Sequence, residues 1–73
     1  MKPFGGTISN WKQVPAHKKG ETVIVGVPNK DNRFFGYPMI RTSIVVSINA
    51  ERTEAETLNT IYKLESETKG GAA

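Results

Sequence analysis

"YPMIRTSIVVSI" (Tyr37 to Ile48) is the stretch whose reading decides the fold. Ile40, Thr42, Ile44, Val46 and Ile48 recur at every second position, with Met39, Arg41, Ser43, Val45 and Ser47 between them. A period of two sends alternate side chains to opposite faces of a strand, whereas a helix requires apolar residues every three to four positions. Branching at Cβ also restricts χ1 and disfavours a helix. The stretch therefore predicts one long strand as the spine of a β domain, with Ile40 to Ile48 lining the inside of a curled sheet.

Upstream, "ETVIVGVP" (Glu21 to Pro28) predicts a second strand. Val23, Val25 and Val27 take one face, and Thr22, Ile24 and Gly26 take the other. Pro28 lacks an N–H and ends the ladder. Gly26 inside a strand predicts a bulge, a bend or another chain passing close. The N-terminal segment is rich in turn formers (Pro3, Gly5, Gly6, Ser9, Asn10, Pro15), with Trp11 and Val14 as its expected anchors to the core. "AHKKGE" (Ala16 to Glu21) is a polar turn closed by Gly20.

Downstream, Asn49 to Glu67 has two readings. As a helix it offers Thr53 and Glu56 as a capping box, with Leu58, Ile61 and Tyr62 at helical spacing. As a hairpin it places Thr53, Ala55 and Thr57 inward, turns at Leu58-Asn59, and returns with Thr60, Tyr62 and Leu64 inward. Three threonines (Thr53, Thr57 and Thr60) weaken the helix and favour the hairpin. The fold class so predicted is mainly β, a five-stranded SH3-like or OB-like barrel or meander; the alternative is α+β with a C-terminal helix. Residues 1–65 form the single small β domain, and "ESETKGGAA" supplies a flexible tail over residues 66–73.

With 73 residues the chain is near the lower limit at which one core supports itself. It has no cysteine and one histidine, His17, so disulfides and a zinc finger are excluded and no cofactor is called for. Oligomerisation is then the expected way to extend the core, and a homo-oligomer is predicted. No apolar run of about 20 residues exists, and the N-terminus lacks the apolar stretch of a secretory signal. A cytoplasmic protein without a membrane partner is expected. Residues 1–41 carry seven bases against two acids, whereas residues 42–73 carry three against five. Such asymmetry can present a basic face to a polyanion, or merely a solvated surface.

Catalytic equipment is sparse. Ser43 and Ser47 have only His17 as a possible base, with no orienting signature. Glu54 and Glu56 fall on one strand face, where carboxylates usually solubilise a sheet. The paired glycines of "FGGT" and "KGGA" lack the spacing of a phosphate loop. A non-enzymatic binding protein is the expectation.

The loop "PNKDNRFFGYP" (Pro28 to Pro38) carries the candidate site: Lys30, Arg33, Phe34, Phe35 and Tyr37, joined by Arg41 from the following strand. Adjacent residues in extended backbone point to opposite sides, so one of Phe34 and Phe35 is expected inside and the other at a surface. Bases interleaved with aromatic rings suit single-stranded nucleic acid, a nucleotide, or a protein hot spot.

"RTSIVVSI" (Arg41 to Ile48), followed by "TEAETLNTIYKLE" (Thr53 to Glu65), resembles a pattern in short proteins encoded by bacteriophages, prophages and plasmids. There an R-T-S strand leads through a polar turn to a T-x-Y-x-L ending. The resemblance implies a phage-type accessory protein that binds a host protein or a nucleotide signal, in some cases to block host defence. It carries over no functional residues. A nucleic-acid-binding small barrel is the alternative implied by the basic and aromatic residues.

Overall fold

The computed structural model describes residues 2–68. The protein is mainly β, with no helix among the described residues. Its six strands are β1 (Phe4–Pro15), β2 (Thr22–Pro28), β3 (Ile40–Arg41), β4 (Val45–Ile48), β5 (Glu54–Thr57) and β6 (Ile61–Glu65). They form one sheet in the order β3-β2-β1-β6-β5-β4. All neighbours are antiparallel except β1 and β6, which run parallel. The sheet is therefore mixed, which corrects the meander, and its ladder is not closed into a barrel. The hairpin reading of the C-terminal stretch holds, with Ala55, Thr57, Tyr62 and Leu64 buried; Thr53, expected inward, is exposed.

The N-terminal segment, rich in turn formers, is the longest strand and sits at the centre of the sheet. Its turn formers serve kinks inside the strand. The β1–β2 register shifts between Ser9 and Lys12, where Asn10 adopts φ 50°. An extra residue in one strand reverses the facing of the residues after it. That is why Ile8 and Trp11, three apart, both enter the core, which strict alternation would forbid. A second shift lies between Phe4 and Thr7, opposite β6.

The expected spine is two strands. β3 ends at Arg41 and β4 begins at Val45, and they lie at opposite ends of the sheet. Four peptide steps span at most about 14 Å, whereas a flat six-stranded sheet separates its edge strands by roughly 24 Å. The sheet must therefore curl until its ends approach, and Thr42-Ser43-Ile44 bridges the gap covalently. Thr42 occupies the bridge as a polar joint. Its N–H donates to Ile24 O (2.9 Å), its Oγ1 accepts from Ile24 N (3.0 Å), and the same hydroxyl donates to Ser43 O. At the other end Leu58 N donates to Ile44 O (3.0 Å). A further bulge between Val45 and Ser47 breaks the alternation. Ile40 and Ile48 pack against the core as expected, whereas Val46, expected inside, is exposed and Val45, expected on the other face, packs inward.

The core is Ile8, Trp11, Ile24, Ala55, Tyr62 and Leu64. Gly26 explains how β1 and β2 approach so closely there. A Cβ on it would stand 2.5 Å from Ile8 Cγ2, 2.9 Å from Ser9 O and 3.0 Å from Trp11 Cα. Of the readings open for this glycine, a chain passing close is observed, and a bulge in the facing strand lies opposite it, between the Ser9–Val27 and Lys12–Val25 pairs. The buried polar side chains Thr7, Asn32, Thr42 and Thr57 all have partners, as burial in so small a domain requires.

Residues 66–68, expected to begin a free tail, are tied down. Glu67 pairs with Arg52, and Thr68 donates from its N–H to Trp11 O (2.7 Å) and from its hydroxyl to Asn10 O (2.8 Å). The remainder of the expected tail, residues 69–73, lies outside the described residues.

Candidate ligand-binding cleft

The Pro28 to Pro38 loop is docked at one end and turned at the other. Asp31 holds it to β1: Thr7 donates from its N–H to Oδ1 (2.9 Å) and from its hydroxyl to Oδ2 (2.8 Å). Asn29 N donates to Thr7 O, and Ser9 Oγ donates to the Asn29 side chain. Asn32 is buried, with its Oδ1 accepting from Phe34 N (3.0 Å). Gly6, at φ 104°, makes room for this docking: its missing Cβ would lie 2.5 Å from Asn32 Cα. Asn29, Asp31 and Asn32 are residue types common in turns. Here they also clamp the loop to the sheet.

Both Thr7 hydrogen bonds favour the ionised Asp31 and hold its carboxyl below its ordinary value of 3.8. A carboxylate depressed in the folded state stabilises it fully above the unfolded pKa, and the contribution is lost as pH falls through the lower folded pKa. Acid titration below about pH 4 should therefore loosen the clamp, given an unfolded Asp pKa of ~3.9. In D31N this part of the pH dependence should disappear. Circular dichroism of acid unfolding, compared between the two chains, checks this; identical pH profiles would refute the clamp.

Beyond Asn32 the backbone is a succession of turns, not the extended chain expected: Phe35 N donates to Asn32 O (2.9 Å) and Tyr37 N to Phe34 O (3.1 Å). The two rings nevertheless diverge. Phe34 is half-buried rather than fully inside, and Phe35 is 57% exposed. Phe34 meets Tyr37 edge-on, centroids 6.0 Å apart at 88°, and the Arg33 guanidinium lies 4.8 Å above the Phe34 ring. Such geometries are attractive for aromatic pairs and for cations over ring faces.

Arg33 and Phe34 form one wall of a cleft of about 350 Å³, completed by Pro3, Phe4, Gly5, Asn59, Thr60 and Tyr62. The start of β1, the β5–β6 turn and Tyr62 thus join the loop in lining it. No carboxylate pairs with Arg33 among the described residues. The cleft thus combines a guanidinium free to meet an anion, aromatic rings suited to a flat group, and an exposed amide at Asn59.

The predicted site residues are divided. Arg33 and Phe34 share the cleft, and Tyr37 supports Phe34 from behind. Lys30 and Phe35 line a separate open groove with Lys63 and Glu65. Arg41 sits on the edge strand β3, opposite Val25. Phe4 and Asn59 were missed. Phe4, 59% exposed, was an aromatic directly before Gly5-Gly6, and that was the available signal; Asn59 appeared only as a turn residue. Among the other polar residues, Glu56 is paired with Lys2, Glu54 faces Lys63 across the β5–β6 ladder, and His17 is exposed.

The fold and cleft define a small mixed-sheet β domain with an aromatic, basic recess. No family model, curated protein or solved structure matches the chain. No helix among the described residues is long and apolar enough to cross a membrane.

Proposed function

We propose that this cleft binds a compact anion with a flat body, of the nucleotide class, and that the chain acts stoichiometrically by holding it. The observation that carries the reading is Arg33, without a carboxylate partner among the described residues and held over Phe34 at a recess also lined by Phe4, Tyr62 and Asn59. A volume near 350 Å³ falls at the lower end of small-molecule sites, ~300–1,000 Å³. The guanidinium suits a phosphate, the rings a base, and the Asn59 amide a base edge. This accords with a phage-type accessory protein that sequesters a nucleotide signal in the cytoplasm of a bacterial host, acting by binding and not by turnover. A polynucleotide track is less well supported, because Lys30, Arg33 and Arg41 do not share one groove. A homo-oligomer built over exposed Tyr37 and Met39, beside edge strand β3, would extend the small core.

Calorimetric titration with cyclic and linear nucleotides, nucleosides and inorganic phosphate tests the proposal. Phosphorylated nucleosides should bind and bare nucleosides should bind at least tenfold more weakly. Arg33→Ala should weaken nucleotide binding about 10–150-fold, the range of a hydrogen bond to a charged group, with the melting temperature unchanged because Arg33 is exposed. Absence of nucleotide binding at millimolar ligand, or full affinity in Arg33→Ala, would end this reading.

A further inference from the structure

Asn10 (φ 50°), Arg52 (φ 58°) and Ser66 (φ 54°) are the described non-glycine residues with left-handed backbone, and all three meet at one place. That place is remote from the cleft. Trp11 lies seven residues along β1 from Phe4, at most about 23 Å and less for the two kinks between them. The Arg52 guanidinium covers the buried Trp11 indole, 5.1 Å from its centroid. Arg52 in turn forks onto Glu67, Nε donating to Oε1 (2.9 Å) and Nη2 to Oε2 (2.8 Å). The next residue, Thr68, donates from its N–H to Trp11 O and from its hydroxyl to Asn10 O.

Two consecutive residues are thus held by at least four hydrogen bonds, Glu67 through a guanidinium and Thr68 through main-chain carbonyls. A guanidinium fork selects a carboxylate in one plane. Main-chain carbonyls on a kinked strand accept the following N–H and hydroxyl, much as an added segment is read at a strand. We infer that Asn10, Trp11 and Arg52 form a docking site for an acidic segment of the type Glu-Thr, which the chain's own Glu67-Thr68 fills. A partner protein presenting such a segment takes the site by displacing this strap. The charge complementarity of Arg52 and the seated strap itself specify the partner's chemistry. The strained backbone at Ser66 favours exchange, because releasing the strap lets that residue leave the left-handed region. The inference is independent of the cleft.

Trp11 is the sole tryptophan, so its fluorescence reports the site. In the full chain, the double variant Glu67→Ala, Thr68→Val should keep its circular dichroism while Trp11 emission shifts to the red and acrylamide quenching rises severalfold. A millimolar synthetic peptide of residues 65–73 should reverse both changes. The E67Q peptide should not, and adding Arg52→Ala should abolish the rescue. A Trp11 as protected as in the parent chain, or equal rescue by both peptides, overturns the proposal. Should the double variant not fold, the parent chain carries the test by nuclear magnetic resonance. The peptide should then move the Trp11 indole N–H and Arg52 Nε signals, and unmoved signals overturn the proposal.

Discussion

Gly26→Val is expected to lower the melting temperature by roughly 12–24 °C, or to leave the chain unfolded. The missing side chain faces not a void but the neighbouring strand: Ile8 Cγ2 at 2.5 Å, Ser9 O at 2.9 Å and Trp11 Cα at 3.0 Å from an added Cβ. Two of these three atoms are backbone in the middle of the sheet, so no side-chain rotation relieves the clash. Overpacking of a tight core costs about 1–3 kcal/mol and sometimes more, and backbone obstruction puts this case at or above 3. For a domain of this size each kcal/mol moves the melting temperature by roughly 4–8 °C. Thermal unfolding followed by circular dichroism measures it. A shift under about 4 °C, less than one kcal/mol on that scale, would mean that β1 and β2 are not pressed together at this point.

The second large effect is expected at Trp11. Removing a buried Trp side chain costs about 3–5 kcal/mol, and total stability of small domains is only about 5–15 kcal/mol. Trp11 is fully buried in the core, carries Arg52 on its face, and sits where the strand kink turns it inward. Trp11→Ala should therefore consume most of the stability and leave a substantial unfolded fraction at 25 °C. Trp11→Phe, which keeps a ring beneath Arg52, should be milder. Urea unfolding monitored by circular dichroism distinguishes them. Equal midpoints for the parent and Trp11→Ala chains would show that the indole is not structural.

How far the sequence foretold this architecture depends on which signal each segment carried. β2 and the β5–β6 hairpin were legible because their side chains alternate cleanly and their ends are marked by Pro28 and by Leu58-Asn59. β1 was not, because Gly5, Gly6 and Asn10 read as turn formers although they supply kinks within a strand. The spine was misread for the opposite reason. An unbroken β-branched alternation concealed a crossing from one edge of the sheet to the other, and only the tertiary role of Thr42 reveals the break. Parallel pairing of β1 with β6 left no local trace, since partners such as Thr7 and Lys63 are far apart in the chain. For the recess, the sequence pointed to the right loop but not to its opposite wall. Arg33 and Phe34 stand out in any reading, whereas Phe4 and Asn59 matter only because the first strand and the last turn come together.

That same parallel ladder bears on how the protein is made. Nucleation can begin early in the hairpins, but β1 waits for β6 to emerge from the ribosome before its second edge is satisfied. Long-range pairing of this kind slows folding relative to local contacts, because the loop must be closed before the contacts are gained. A chain stopped before Ile61 should accordingly stay open to protease along its N-terminal segment, and protection should rise once Ile61–Glu65 can pair with it.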